Sequence, residues 1–226
     1  MVDWMIEVLT NFKCADQTFF LAVSLLDRYF NTTKQALEIN DLHCLGITSM
    51  FIASKFEDIH PLKMKMVHEK IAHRKISVEK IKAMELEFLK VINYKIAAPS
   101  VLDFIKLYLR SVLKIEYIEN DSSDREALIY KMSIYLGKMA VHDYDLCGKV
   151  PSLVAIGCFY VALKICEQLS KESFITAELV QRIVEVSQHE EADTMAVSKQ
   201  VLHLAQNFDK LLPGLENLKK THFEAI

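Results

Sequence analysis

The segment Leu45–Pro61 reads Leu-Gly-Ile-Thr-Ser-Met-Phe-Ile-Ala-Ser-Lys-Phe-Glu-Asp-Ile-His-Pro. From Leu45 to Ala53 it contains no charged side chain, and a helix that is apolar on every face belongs in the centre of a core. Lys55 follows near the end of the segment, and Pro61 stops the helix because proline lacks a backbone N–H and its ring clashes with the preceding turn. The segment therefore predicts a buried helix that carries a lysine to the protein surface.

The composition of the chain favours an all-α protein. Its 226 residues include only five glycines and four prolines, against usual levels of about 7% and 5%, and good helix formers are plentiful. This length fits two domains of roughly 100 residues each. The formal net charge of −3 offers no basic surface for nucleic acid, so we expect no nucleic-acid partner.

The cysteines and the apolar runs indicate a soluble protein of a reducing intracellular compartment, and we expect it in the nucleus, the cytoplasm or both. None of the five cysteines forms a Cys-x-x-Cys pair, which is typical of a reducing compartment. The chain opens without the basic region of a signal peptide, and its longest uncharged run, Val150–Leu163, is too short to span a bilayer. The sequence also lacks a glycine-rich phosphate loop and a His-Glu-x-x-His motif. We therefore expect no membrane contact, metal or cofactor.

Hydrophobic periodicity predicts five helices in each half of the chain, with the break at Asn93–Pro99. Asp16, Asn40 and Ser77 are the predicted N-caps of the second, third and fifth helices. In the second half, helices are expected at about Pro99–Leu113, Asp124–Val141, Pro151–Gln168, Thr176–Val186 and Asp193–Leu212, with a polar loop at Glu119–Asp124.

The two halves resemble each other in their central helices. At one constant offset, Ile47, Ala53, Lys55 and Phe56 match Ile156, Ala162, Lys164 and Ile165. This match agrees with a duplication of one five-helix plan. Glu85 has no evident counterpart in the second half.

Glu85 interrupts an apolar stripe on the fifth helix, whose other members are Val78, Ile81, Phe88 and Ile92. A buried carboxylate without a partner costs several kcal/mol, so Glu85 requires a cation. One interpretation is an internal pair with a lysine of its own core. The other places Glu85 at the rim of a surface that a second protein covers, with Lys55 as its companion. Spacing alone favours the internal pair.

Several ordered motifs resemble one protein family. They read Met1-Val-Asp-Trp-Met-Ile-Glu-Val, Leu25-Leu-Asp-Arg-Tyr-Phe, Ile52-Ala-Ser-Lys-Phe-Glu-Asp-Ile-His-Pro, Met84-Glu, Leu89-Lys-Val-Ile-Asn-Tyr and Ala98-Pro99. Together they resemble a cyclin of the mitotic A and B type. The resemblance implies two tandem five-helix cyclin-fold repeats, a cyclin box at residues 1–94 and a carboxy-terminal repeat at residues 95–226.

The resemblance also implies a function in cell-cycle control. Cyclins of this type are non-catalytic subunits that bind and activate a cyclin-dependent protein kinase and help to recruit its substrates. Lys55 and Glu85 match the family's lysine and glutamate that hold main-chain groups beside the mobile kinase helix. The apolar residues expected to cover that helix are Ile52, Phe56, Phe88, Tyr94 and Ile96.

A second implied site is a shallow apolar patch that docks Arg-x-Leu segments of substrates or inhibitors. Its tryptophan, glutamate and leucine match Trp4, Glu7 and Leu42, and the first two share one helical face. The sequence departs from the family at His43, where a glutamine is usual, and at Met1, which takes the position of a leucine. The alternative is that Trp4 is a core residue.

Two other functions fit a pair of five-helix repeats. A cyclin-fold transcription factor of the basal machinery contacts DNA and would be basic, whereas this chain is slightly acidic. A helical scaffold without a kinase partner is the other alternative.

Overall fold

The computed structural model of the chain describes residues 1–114, 125–171 and 173–223, and within these ranges the structure is helical and contains no β-strand. The helices are α1 Val2–Asn11, α2 Asp16–Thr32, α3 Ile39–Glu57, α4 Met64–Met66, α5 Val78–Val91, α6 Val101–Leu113, α7 Arg125–Ala140, α8 Tyr144–Cys147, α9 Pro151–Ser170, α10 Ala177–Ser187, α11 Glu191–Leu211 and α12 Asn217–Phe223. A π-helical turn, Val67–Ile71, continues α4. The predicted all-α class is confirmed.

The chain forms two compact units. The first comprises Met1–Ala98 together with the C-terminal segment from Glu216 onward, and the second comprises Pro99–Leu215. The change from one unit to the next falls within the predicted break. The sequence assigned everything after residue 94 to the second repeat, whereas in the structure α12 packs against α1 of the first unit.

Helix α3 is the centre of the first unit. Every residue from Cys44 to Ser54 is buried, and α2 and α5 pack against this helix. The hydroxyl of Thr48 donates to the Cys44 carbonyl at 2.8 Å, and that of Ser49 donates to the Gly46 carbonyl at 2.9 Å. Because these hydroxyls are satisfied within the helix, polar residues fit into the core without a further partner.

The N-terminus of α3 differs from the prediction. The helix begins at Ile39, one residue before the predicted cap Asn40, and its N-cap is Glu38. Glu38 and Asp41 form a reciprocal capping box, in which each side chain accepts from the backbone N–H of the other residue. Two carboxylates thus satisfy N–H groups that the first turn leaves free, and the negative charge also suits the helix dipole.

The other two predicted caps have different outcomes. Ser77 caps α5 as predicted, since its hydroxyl oxygen accepts from the Lys80 backbone N–H at 3.1 Å. Asp16 is the first residue of α2 and not its cap; the N-cap is Ala15, whose side chain cannot accept a hydrogen bond.

Helix α9 is the centre of the second unit and packs against α6, α7 and α11. By length and composition alone it would also suit a membrane span, but more than half of its apolar window is buried in the protein. The five predicted helices of this half are present, whereas α8 and α12 were not predicted. The predicted polar loop Glu119–Asp124 lies outside the described residues.

Cys44, Cys158 and Cys166 are buried free thiols. Burial raises the pKa of the Cys158 thiol to about 12. These three thiols therefore pack as small apolar groups, as their place in apolar helical runs predicts.

Candidate functional site

The ends of α3 and α5 bring Lys55 and Glu85 together. The Lys55 ammonium forms an ion pair and hydrogen bond with Oε1 of Glu85, and it lies 4.2 Å from the ring centroid of Phe51. The Lys55 side chain is 41% exposed and that of Glu85 is 17% exposed. The pair thus joins two helices of the core and still reaches the surface.

Each member of the pair retains hydrogen-bonding capacity. Among the described residues, Lys55 is the only hydrogen-bond partner of Glu85. An ammonium has three donors and a carboxylate has about four acceptor positions, so one mutual bond leaves both groups able to bind further main-chain groups. The internal pair and the partner-facing surface, which the sequence left as alternatives, are therefore compatible.

Residues before and after Lys55 anchor the end of α3 and the segment that follows it. Upstream, the buried Ser54 hydroxyl oxygen accepts from the Leu62 backbone N–H at 2.9 Å. Downstream, Oδ1 of Asp58 accepts from the Ala15 N–H at 2.9 Å and from the Thr18 hydroxyl at 2.8 Å. Asp58 thus supplies the N-terminal cap that α2 lacks in its own sequence.

The same carboxylate affects a neighbouring thiol. Burial, followed by the charge of Asp58 and a hydrogen bond to it, raises the pKa of Cys14 to about 12. Cys14 is therefore a neutral thiol at physiological pH, and a thiolate reaction at this position is disfavoured.

An aromatic stack between α2 and α5 holds helix α5 in place. The rings of Phe88 and Tyr29 lie 4.6 Å apart with planes 26° from parallel, and the Tyr29 hydroxyl donates to Glu87 at 3.1 Å. Burial, with the Glu87 charge second, raises the pKa of Tyr29 to about 12. The stack and the hydrogen bond fix the face of α5 from which Glu85 projects.

The predicted apolar contact residues fall into two groups. Ile52 and Phe88 are inside the core, Phe88 with no exposed surface. Because both side chains are covered by the first unit itself, a contact of Ile52 or Phe88 with a kinase helix stays a prediction. Phe56 and Tyr94, in contrast, are 51% and 59% exposed, and Ile96 is half-buried.

The turn after α5 is held by an arginine that the sequence analysis did not single out. Asn93 and Tyr94 have φ values of 52° and 57°, a left-handed conformation that is uncommon for residues other than glycine. Beyond them, the Arg28 guanidinium donates to the Ile96 carbonyl at 3.1 Å, and burial lowers the pKa of Arg28. The signal was present in Leu25-Leu-Asp-Arg-Tyr-Phe, but its partner lies 68 residues away.

The predicted docking residues lie on α1 and α3 of the first unit. The ring of Trp4 is half-buried and lies 5.0 Å from the ring of His43 at 54°, while Leu42 and Glu7 are exposed. A Cβ added to Gly46 would come within 2.6 Å of the Met1 sulfur and 3.4 Å of the Trp4 ring. Glycine at position 46 thus allows α1 to approach α3 closely at the tryptophan.

The histidine of this patch is in a cationic environment. Burial lowers the pKa of His43, and the nearby Lys75 and His73 lower it further. His43 is therefore neutral at physiological pH, so its ring packs on Trp4 as an uncharged aromatic group.

A C-terminal segment that the sequence analysis did not connect to this patch also contacts α1. The buried Asp3 carboxylate accepts from the backbone N–H groups of Asn217 at 3.2 Å and Leu218 at 3.1 Å. The Asn217 amide lies 3.4 Å from Oε2 of Glu7, and Leu218 is fully buried. No local pattern could reveal this contact, because more than 200 residues separate its partners.

Two family models match the chain: the cyclin N-terminal domain over residues 1–97 and the cyclin C-terminal domain over residues 99–222. The chain belongs to the cyclin family. This confirms the family that the sequence motifs indicate, and it places the Lys55–Glu85 pair and the Trp4 patch within the N-terminal cyclin domain.

Relatives of this cyclin include mitotic members of the family. It is 30% identical over 208 residues to the G2/mitotic-specific cyclin-B1 of Caenorhabditis elegans, an alignment that covers 83% of this chain and 55% of the relative. It is 31% identical over 161 residues to a putative cyclin-F3-1 of Oryza sativa subsp. japonica, which covers 71% of this chain and 39% of the relative. The chain thus spans about half, or less, of the length of these curated relatives.

A solved structure shares the fold. The X-ray structure of a viral cyclin from herpesvirus saimiri matches with a TM-score of 0.71, covering 100% of this chain and 83% of the viral one. At 16% identity this likeness shows the fold alone.

Proposed function

We propose that this cyclin is a regulatory subunit that binds and activates a cyclin-dependent protein kinase in cell-cycle control. The observation that carries the proposal is the Lys55–Glu85 pair, a partly exposed pair of charges fixed by two core helices. The mitotic cyclins among its relatives support the cell-cycle role.

The proposed mechanism is a shift in a conformational equilibrium. A protein kinase is active when the lysine of one strand pairs with the glutamate of a mobile helix. A protein that packs this helix inward favours the active state by its differential affinity for that state. The activator itself requires no catalytic residue.

The charged pair supplies the polar part of such an interface. The free donors of Lys55 suit carbonyl groups at the end of a partner helix or loop, and the free acceptor positions of Glu85 suit backbone N–H groups. Exposed apolar side chains are available for packing, namely Phe56 on α3, Leu86 on α5 and Tyr94 in the turn that follows.

The direct experiment measures activation. The purified chain is mixed with each member of a panel of monomeric cyclin-dependent kinases, and phosphorylation of a short peptide substrate is followed. We expect one or more kinases to form a complex with the chain and to gain activity by orders of magnitude. A folded chain that binds none of them would favour the scaffold function.

We also propose that the patch of Trp4, Glu7, Leu42 and His43 recruits substrates or inhibitors that carry an Arg-x-Leu segment. An apolar ring beside a carboxylate matches a ligand with an apolar and a cationic side chain. Trp4→Ala should weaken phosphorylation of an Arg-x-Leu substrate about tenfold, as expected for loss of an aromatic anchor, and should spare a short peptide without the motif. Equal losses for both substrates would identify Trp4 as a core residue.

We further propose that the protein acts in the nucleus or the cytoplasm. Support comes from the buried free thiols Cys44, Cys158 and Cys166, which suit a reducing compartment. Microscopy of the tagged full-length protein through the cell cycle tests this assignment, and accumulation in a secretory compartment would contradict it.

A further inference from the structure

Helix α12 of the same chain contacts Glu7, the acidic residue of the docking patch. Helix α12 lies on α1, where two of its backbone N–H groups donate to the buried Asp3 carboxylate. The side-chain amide of Asn217 donates to the Asp3 carbonyl and to the Glu7 carboxylate, each at 3.4 Å. Leu218 anchors the helix because its side chain is fully buried.

The same helix also carries a cation, Lys220. Lys220 pairs with Glu216 at 2.6 Å. This pair raises the pKa of Lys220, and the charges of Glu7 and Asp3 raise it further. Lys220 follows Asn217 by three residues, so the two side chains lie on the same face of α12, the face whose Asn217 amide contacts Glu7.

An arriving ligand meets different conditions at the two parts of the patch. The half-buried Trp4 ring, beside His43, offers an apolar contact. At Glu7, an incoming arginine must share the carboxylate with the Asn217 amide, which lies 3.4 Å from Oε2, and approach a like charge on Lys220. A weaker charge contact at Glu7 lowers the binding free energy gained from the ligand's arginine, while the free energy gained from its apolar anchor stays the same.

We propose that Asn217 and Lys220 are specificity residues of the docking patch, which make it select ligands by their apolar anchor more than by their arginine. The inference rests on the docking function proposed for Trp4, Glu7 and Leu42. It assigns to the C-terminal helix a role in ligand choice that its packing on α1 does not require.

The test is a two-by-two comparison of protein and peptide. Wild-type protein and the double variant Asn217→Ala, Lys220→Gln are each titrated with an Arg-x-Leu peptide and with its Ala-x-Leu counterpart. Both substitutions retain the buried Leu218 side chain and the backbone N–H groups that donate to Asp3, so α12 remains packed on α1. Thermal melts of the two proteins check that it does.

We expect the preference for arginine over alanine to be about twofold or less in the wild type and to rise about fivefold in the double variant, the scale of one or two partly exposed charge contacts. Glu216→Gln is the matched control, because it removes the pair on α12 but retains the Lys220 charge. Its preference should equal or fall below that of the wild type.

Equal arginine preference in the wild type and the double variant, with binding that Trp4→Ala weakens, would overturn the inference and leave the docking function intact. Peptide binding that is absent from every variant, or that Trp4→Ala does not affect, would overturn the docking function and the inference with it.

Discussion

The central helices of the two units end differently, although both carry a lysine at the same position of the aligned sequence. In α3, Lys55 pairs with Glu85 on another helix, 30 residues away. In α9, Lys164 pairs at 3.1 Å with Glu167, three residues further along the same helix. Each lysine also has an aromatic ring four residues before it, Phe51 at 4.2 Å and Tyr160 at 6.0 Å.

The position where each helix stops explains the difference. At the offset that aligns the lysines, Glu167 matches Asp58. Helix α9 continues to Ser170, so Glu167 stays within reach of the lysine one turn before it. Helix α3 ends at Glu57, and Asp58 has an extended conformation that directs its carboxylate to α2.

The two carboxylates nevertheless share a task. Asp58 accepts from Ala15 and Thr18 at the start of α2. Glu167 accepts from the backbone N–H groups of Phe174 and Ile175 at 3.2 and 3.0 Å, just before α10. Both therefore hold the start of a neighbouring helix, but only in the first unit does this leave the lysine free to pair elsewhere.

The largest expected effect is the difference in stability between a core substitution and a surface substitution near the Lys55–Glu85 pair. Phe88→Ala should lower the free energy of unfolding by about 3–5 kcal/mol, because it removes a fully buried ring and leaves a cavity. Phe56→Ala, at an exposed ring, should lower it by less than about 1 kcal/mol. Chemical denaturation of both variants measures the difference, and similar losses would contradict the assignment of Phe88 to the core.

The next effect concerns the cap that Asp58 provides for α2. Asp58→Ala should lower the free energy of unfolding by about 1–2 kcal/mol, since it leaves the Ala15 N–H and the Thr18 hydroxyl without their acceptor. Asp58→Asn retains an acceptor oxygen and should recover part of the loss. If Asn and Ala are equally destabilising, the hydrogen bonds to Asp58 are not what holds α2.

The smallest effect is a pH dependence in the second unit. Backbone hydrogen bonding from Ile175, followed by the Lys164 contact, lowers the pKa of Glu167 from its ordinary value of 4.5. A depressed folded-state pKa stabilises the protein above pH 4.5, and this stabilisation is lost as the pH falls through the folded-state value. Wild type should therefore have a higher Tm than Glu167→Gln near neutral pH, and the difference should disappear in acid. A Tm difference that is constant from pH 7 to pH 3 would contradict this assignment.

The sequence predicted the helices well where the pattern is local. The uncharged run from Leu45 to Ala53 identified the buried helix, and Ser77 identified the start of α5. The prediction of Asn40 as an N-cap was wrong. It rested on the frequency of asparagine at this position, whereas two carboxylates, Glu38 and Asp41, cap this helix reciprocally. Helix α8, with four residues, is too short to show a period.

The candidate site was predictable only in part. Glu85 stood out because a charge interrupted an apolar stripe, and its pairing with Lys55 followed from the need for a cation. The roles of Asp58 and Asp3 were not visible, because each carboxylate binds a backbone N–H group more than 40 residues away, that of Ala15 and that of Asn217. A side chain that binds backbone leaves no complementary residue type in the sequence, so only the folded chain reveals its partner.

The most direct test of the proposed kinase interface is a titration of the kinase against Lys55→Met, Glu85→Gln and Lys164→Met, each accompanied by a thermal melt. Methionine retains the alkyl packing of either lysine, so the first and third variants differ only in which unit loses its charge. Because hydrogen bonds to charged groups contribute about 1.5–3 kcal/mol, Lys55→Met and Glu85→Gln should each weaken kinase binding at least tenfold with little change in Tm, while Lys164→Met should bind as the wild type does. A marked fall in Tm with unchanged affinity for the first two variants, or an equal loss of affinity in Lys164→Met, would contradict the assignment of the Lys55–Glu85 pair to the interface.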